Sequence, residues 1–345
     1  ELYNYKELIK ILSSDTLFGR GYVNNGINKS AELIKNELKK IGLLPLCESS
    51  YFQNFDISVN TFPGIISIKI NNNELIPGID FLIDPASPSF KGNYKVITLK
   101  SVDVFDLGNL AKKIRSSKNR FLCLDFRDDS LYNDSLKNIL EQTKFWIENK
   151  KGMPYRGVIR LTNKKLTWHT SESVTNIPVI EIYNNDSNYK IEKISLNIEN
   201  KYFNKYEVKN IGGIIKGTIY PDSFIIICAH YDHLGMMGKN TYFPGANDNA
   251  SGIAMVMTLA NYFIKNPSKY SLVFLCLASE EVGLKGAEYF YNNMPIAKEN
   301  IKFLINLDLV GTGEDGIAVV NALKYNEVFQ RLEIINVSNN YFSYI

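Results

Sequence analysis

Apolar and polar positions recur along this chain with two different periods, and the change of period divides it. Over 29–41 the apolar side chains Ala31, Ile34, Leu38 and Ile41 are spaced by three or four, which puts them on one face of a helix. Asn28 is placed to cap that helix and Gly42 to end it in the left-handed conformation. The next stretch, to about residue 202, is built of short β-rich runs at 64–70, 94–99, 120–126, 157–162 and 178–183, separated by turn residues. One helical pattern, over 135–148, interrupts them. From 203 onward the apolar runs become continuous, at 224–229, 272–277 and 303–307, with helical patterns over 250–264 and 284–293 between them. Continuous apolar strands alternating with helices predict a parallel sheet covered on both faces. The expected fold class is therefore α/β: a doubly wound, mostly parallel sheet with helices on both faces, formed by 1–73 and 203–345. Residues 74–202 are expected to form a smaller, β-rich inserted domain.

Composition narrows the classes of function. A chain of 345 residues suggests about two domains, each with its own core. With 45% hydrophobic and 22% charged residues, neither disorder nor a fibrous repeat fits. The formal charge is only +3, without a run of five like charges, so no nucleic acid is expected as a partner. No apolar stretch approaches the roughly 20 residues a helix needs to span a bilayer, and no membrane span is expected. The chain begins at Glu1 without an initiator Met or an apolar leader, which is expected of a processed or trimmed N-terminus. Cys47, Cys123, Cys228 and Cys276 show no C-x-x-C spacing, so a zinc finger or disulfide scaffold is excluded.

The chemistry concentrates where the three apolar strands end. The first runs into Ala229-His230-Tyr231-Asp232-His233-Leu234-Gly235, the second into Ser279-Glu280-Glu281, and the third into Asn306-Leu307-Asp308-Leu309. Asp248 stands in Gly245-Ala246-Asn247-Asp248-Asn249-Ala250-Ser251-Gly252, just ahead of a helix. In open α/β sheets ligands bind beyond the carboxyl ends of the strands. The predicted fold thus gathers an imidazole and several carboxylates at one rim, an arrangement costly for bare like charges and favourable around divalent cations. Imidazole and carboxylate without cysteine suit zinc in a hydrolytic site. Asp232, two residues after His230, is placed to hold a ligating imidazole in one tautomer. Of the adjacent Glu280 and Glu281, one can bind metal while the other accepts a proton from water.

The segments AHYDHLG, PGANDNASG, ASEEVGLKG and NLDLVG, in this order, resemble the four signature segments of the M28 family of zinc metallopeptidases, aminopeptidases with co-catalytic zinc ions. The stretch from Leu12-Ser13-Ser14-Asp15 to Phe18-Gly19-Arg20-Gly21 resembles the opening of members that carry an inserted protease-associated domain. The resemblance implies a zinc-exopeptidase fold, peptide substrates and a secreted or periplasmic enzyme. It implies that His230 and Asp308 hold one zinc, that Asp248 bridges, that Glu281 holds the second, and that Glu280 is the general base. It also implies a non-proline cis peptide at Asp248-Asn249. One departure stands out: the family completes its second zinc with a His beyond the last Asp, and no His follows Asp308 here. Three accounts stay open, namely a chain cut short, which is the simplest, a degenerate site, or a His from another chain. Glutaminyl cyclase chemistry at a single zinc and a metal-free binding relative are the alternatives to the peptidase.

Other features have plainer readings. His233 is read as a pocket-wall residue and His169 as an ordinary surface or turn residue. Gly311-Thr312-Gly313-Glu314-Asp315-Gly316 matches G-x-G-x-x-G, but Glu314 and Asp315 would repel a pyrophosphate, and 317–320 reads as a strand where a dinucleotide fold needs a helix. No G-x-S-x-G nucleophile elbow is present.

Overall fold

The computed structural model describes residues 5–313 and 316–345. Its first sheet has six strands, in the order Leu44–Pro45, Lys201–Ile215, Tyr270–Leu277, Tyr220–His230, Ile301–Asn306, with Phe52–Thr61 pairing on the other part of Lys201–Ile215. The three apolar strands of the sequence are its parallel part: Tyr220–His230 lies between Tyr270–Leu277 and Ile301–Asn306 and runs parallel to both. The long Lys201–Ile215 strand is antiparallel to all three of its partners. The sheet is therefore mixed, which corrects the mostly parallel expectation. Within this sheet, only 224–307 carries the strand, helix, strand alternation that crossover connections require.

Period-two alternation in the parallel strands feeds two cores. Ile227, Ala229, Phe274 and Cys276 point to one face, where they pack with Ile27, Ala31, Ile34 and Leu38 of the Gly26–Ile41 helix and with Ile253, Val256 and Met257 of the Gly252–Lys265 helix. Ile226, Cys228, Val273 and Leu275 point to the other, against Phe290 of the Lys285–Asn292 helix. Each such apolar side chain contributes about 1.5–3 kcal/mol on burial. The Gly26–Ile41 helix starts ahead of the expected cap. Asn25, left-handed at φ 60°, precedes it, and Asn28 lies inside, donating its side-chain amide to Asn25 Oδ1 at 2.9 Å. Gly42 ends it at φ 102°, as the sequence predicts.

The second sheet has eight strands, and four of them, Phe90–Lys100, Phe121–Asp125, Gly157–Thr162 and Val179–Tyr183, are parallel neighbours. It begins before residue 74, because Ile66–Ile70 pairs with Lys193–Ile198. Besides the expected helix, seen as Asp134–Asn149 with Asn133 as its side-chain cap, it carries helices Ser101–Val104 and Leu107–Ser116. Crossover helices join the first two of these three parallel pairs, and the third is joined by a loop over 163–178, so this part of the chain is α/β as well, more helical than a β-rich reading allows. Residues 317–320 form no strand. Glu314 and Asp315 lie outside the described residues.

Candidate metal centre

Parallel pairing brings three strand ends to one rim. His230 is opposite Leu277 and Cys228 opposite Asn306, so the residues that follow each strand, Ser279-Glu280-Glu281 and Leu307-Asp308, emerge beside His230. Backbone bonds extend the alignment past the sheet, from Tyr231 N–H to the Leu277 carbonyl at 2.9 Å and from Leu307 N–H to that of Cys228 at 2.8 Å. Asp248 arrives on the turn before the Gly252–Lys265 helix, where the Asp248-Asn249 peptide is cis. The Asn249 side chain fastens that turn to the third strand end. Its Nδ2 donates to the Leu307 carbonyl and its Oδ1 accepts from Gly252 N–H, both at 2.9 Å.

The result is two triads sharing a carboxylate. His230 Nε2 is 3.3 Å from Asp248 Oδ1 and 3.5 Å from Asp308 Oδ1. His233 Nδ1 is 2.7 Å from Glu281 Oε1 and 3.9 Å from Asp248 Oδ2. Within each triad the candidate donor atoms all lie within 4.8 Å of one another, close enough for one ion to touch all three. Both imidazoles are buried, Asp248 and Glu281 are half-buried, and Asp308 is exposed, so the cluster is closed on the imidazole side and open at Asp308. Asp232, fully buried, lies beneath. Its Oδ1 accepts from Glu280 N–H at 3.0 Å and its Oδ2 from Glu281 N–H at 3.2 Å. Its carboxylate is 3.7 Å from His230 Nδ1, while its backbone carbonyl is nearer, at 3.2 Å.

Electrostatics follow from this crowding. Burial would lower the His230 pKa, but the hydrogen bonds that a protonated ring donates to Asp232, Asp248 and Asp308 outweigh it and push it up to about 12. Asp248 is held below the usual carboxylate range by its hydrogen bond to His230, against the opposing effect of burial. Burial raises Glu280, with Asp232, Glu281 and Asp308 adding to it and His230 opposing. A proton is thus retained among carboxylates that would otherwise be uncompensated, the behaviour of a donor set shaped for a cation.

Three residues at the rim are more deeply engaged than the sequence suggests. His233, read as pocket wall, makes the shortest contact of the second triad. Arg20, fully buried, reaches the Asp248 turn from the N-terminal segment. Thr170, next to His169, donates its hydroxyl to the Glu281 carbonyl, and the neighbouring Glu172 pairs with Lys285 at 3.0 Å. A second His in the right motif is the available signal for His233; nothing in the local pattern marks Thr170.

Residues 210–337 match the profile of Peptidase family M28. Aminopeptidase YwaD of Bacillus subtilis is 25% identical over 294 residues, which is 82% of this chain and 56% of that protein. A probable zinc metalloprotease of Pyricularia oryzae is 33% identical over 114 residues, 32% of this chain and 23% of that protein. The chain thus spans a quarter to about half of the length of these curated relatives. Among solved structures, BSAP, a zinc aminopeptidase from Bacillus subtilis, superposes with a TM-score of 0.65 at 18% identity, covering all of this chain and 80% of that one. The aminopeptidase from Aneurinibacillus sp. strain AM-1 gives 0.58 at 17%, covering 92% and 72%. At such identities the likeness speaks for the shared mixed α/β fold. The profile match spans the strand ends that carry His230, Asp248, Glu280, Glu281 and Asp308, so over residues 210–337 the chain is similar to peptidase family M28.

Proposed function

We propose that this protein is a zinc-dependent aminopeptidase, a secreted or periplasmic exopeptidase that removes residues from the free N-terminus of peptides. The observation that carries the reading is the shared carboxylate: Asp248 faces His230 through one oxygen and His233 through the other, so one side chain belongs to both donor groups. The donors fit zinc, since imidazole and carboxylate oxygens converge without any thiol. His230 and Asp308 would hold one ion, Glu281 the second, and Asp248 would bridge them. When bound, zinc supplies Lewis-acid polarisation of the scissile carbonyl and eases deprotonation of the attacking water.

The protein's own groups supply the rest. Glu280 stands next to Glu281 with no hydrogen bond to its carboxyl among the described residues, and its raised pKa suits a proton acceptor. It takes the proton from water as the carbonyl is attacked and delivers it to the departing amine. Asp232 aims both glutamates by accepting their backbone N–H groups, so the strand end cannot turn away without stranding a buried carboxylate.

The test combines elemental analysis with two substrates. About two zinc ions per chain and hydrolysis of amino-acyl anilides support the reading, given the two-ion geometry. Cyclisation of peptides with N-terminal Gln, without anilide hydrolysis, would move the assignment to glutaminyl cyclase chemistry. A chain that takes up no zinc leaves only a binding role.

A further inference from the structure

Arg20 is among the largest fully buried side chains of the protein, and none of its contacts is an ion pair among the described residues. All five of its N–H donors go to backbone carbonyls. Nε donates to Tyr231 O at 2.9 Å, Nη1 to Leu12 O at 2.7 Å and Pro244 O at 2.8 Å, and Nη2 to Gly245 O at 2.7 Å and Asp248 O at 3.1 Å. Tyr231 separates His230 from Asp232, and Pro244, Gly245 and Asp248 belong to the turn that presents the shared carboxylate. One rigid fork therefore spans the two segments whose side chains must meet.

The backbone around it is arranged to make that reach possible. Arg20 itself is left-handed, at φ 51°, a conformation unfavourable for a residue with a long side chain and kept only where surroundings enforce it. The enforcing contacts are direct: Gly235 N–H donates to the Gly19 carbonyl at 3.0 Å and His233 N–H to that of Arg20 at 3.3 Å. The flanking glycines allow the approach, since a Cβ on Gly21 would stand 2.4 Å from Gly235 Cα and one on Gly19 2.4 Å from Gly235 O. A Cβ on Gly245 would stand 2.6 Å from Arg20 Nη2. Burying a guanidinium costs several kcal/mol in lost hydration, so apolar packing alone would select against it.

We infer that Arg20 is a positioning residue for the metal centre, a clamp that fixes the main chain of Asp248 relative to that of His230 before any ion arrives. The inference rests on the zinc peptidase reading and adds a residue from the N-terminal segment, far in sequence from the triads. A lysine cannot replace it, because one ammonium on a flexible stem cannot hold five carbonyls in a plane. Loss of the fork lets the Asp248 turn and the His230 strand end drift apart, which weakens the donor set without touching a donor.

The experiment compares Arg20→Lys and Arg20→Gln with Ile34→Ala, a substitution in the Gly26–Ile41 helix within the hydrophobic core that also holds Tyr231. Zinc affinity is measured by competition with a chromophoric chelator, and thermal unfolding of each metal-free protein by circular dichroism. The expected result is a zinc affinity weakened by roughly 10–100-fold in the Arg20 variants, the usual effect of losing a group that orients ligands. Ile34→Ala should lose comparable thermal stability and keep wild-type affinity. Wild-type affinity in a folded Arg20 variant overturns the inference. Failure of both Arg20 variants to fold with zinc present, when Ile34→Ala folds, also overturns it in favour of a purely structural role. Wild-type protein that binds no zinc refutes the peptidase reading instead, and that result is separate because it precedes any variant.

Discussion

Replacing Glu280 with Gln is the sharpest perturbation of the proposed chemistry, because the structure limits what else it can disturb. The carboxyl has no hydrogen-bond partner among the described residues, and the link that anchors Glu280 to the rim, from its N–H to Asp232 Oδ1 at 3.0 Å, is made by the backbone. Gln has the same shape, so the Ser279 turn, Glu281 and the two triads should stay as they are. What disappears is the ability to accept a proton. A positioned general base contributes about 10²–10⁴-fold, or roughly 3–5 kcal/mol of barrier at about 1.4 kcal/mol per factor of ten. The assay is steady-state hydrolysis of an amino-acyl anilide, with zinc content and unfolding midpoint measured on the same preparation. The expected outcome is a kcat lower by two to four orders of magnitude, unchanged zinc and an unchanged midpoint. A variant that keeps its zinc and turns over within a factor of about three of wild type would remove Glu280 as the base.

Two further outcomes follow from burial and packing. In the metal-free protein, His230 has a folded pKa raised to about 12 against an unfolded value near 6.5, so its contribution to stability is complete below about pH 6.5 and declines as pH rises toward 12. The unfolding free energy of the metal-free form should fall from about pH 6 to about pH 9 by at most about 1.4 kcal/mol per pH unit, and its melting temperature should fall with it. A profile in His230→Asn as steep as wild type would show that another group sets it. Gly286→Ala should destabilise by about 1–3 kcal/mol or more, because its Cβ would stand 2.1 Å from Ala278 O and 2.6 Å from Asn210 Oδ1. Ala278 leads directly into Glu280, so the same variant should lose anilide hydrolysis faster than it loses its fold. Equal stability in chemical denaturation would contradict the packing argument.

Legibility in the sequence tracks locality. The Gly26–Ile41 helix could be read because its stripe and its terminal glycine lie within one stretch of chain, and Asn28 was misplaced as a cap because Asn25 adopts a left-handed conformation that no local rule requires. The strand ends carrying His230, Glu280 and Asp308 could be read because continuous apolar runs with crossover helices dictate parallel pairing, and parallel pairing puts carboxyl ends together. The mixed character of the sheet was not legible: Lys201–Ile215 owes its direction to partners as distant as Phe52–Thr61 and Tyr270–Leu277. The second sheet shows the same limit in reverse. Helix Leu107–Ser116 does space Leu107, Leu110, Ala111 and Ile114 at helical intervals, but such a stripe does not by itself say that Phe90–Lys100 and Phe121–Asp125 pair as parallel neighbours. Arg20 is the extreme case, since a lone arginine between glycines gives no sign that it will bind carbonyls at residues 231, 244, 245 and 248.

The charge balance of the rim bears on how many ions it is shaped for. Five carboxylates, Asp232, Asp248, Glu280, Glu281 and Asp308, converge there, and the fixed positive charge among them is Arg20. Burial lowers the pKa of its guanidinium to about 10, while Asp232, Asp248 and Glu281 hold it up, so it stays charged at neutral pH. A proton on His230 offsets one more carboxylate in the metal-free state, and the remainder must be met by water and counterions. Binding a cation at the first triad displaces that proton, because a ligating imidazole is neutral. With His230 neutral, one divalent ion and Arg20 leave the cluster short by two positive charges, whereas two divalent ions bring it to neutrality. Like charges held this close are strongly disfavoured where solvent is partly excluded. On the proposed zinc reading, this charge count would favour filling both triads over one and would tie occupancy of the second to the first through the carboxylate they share.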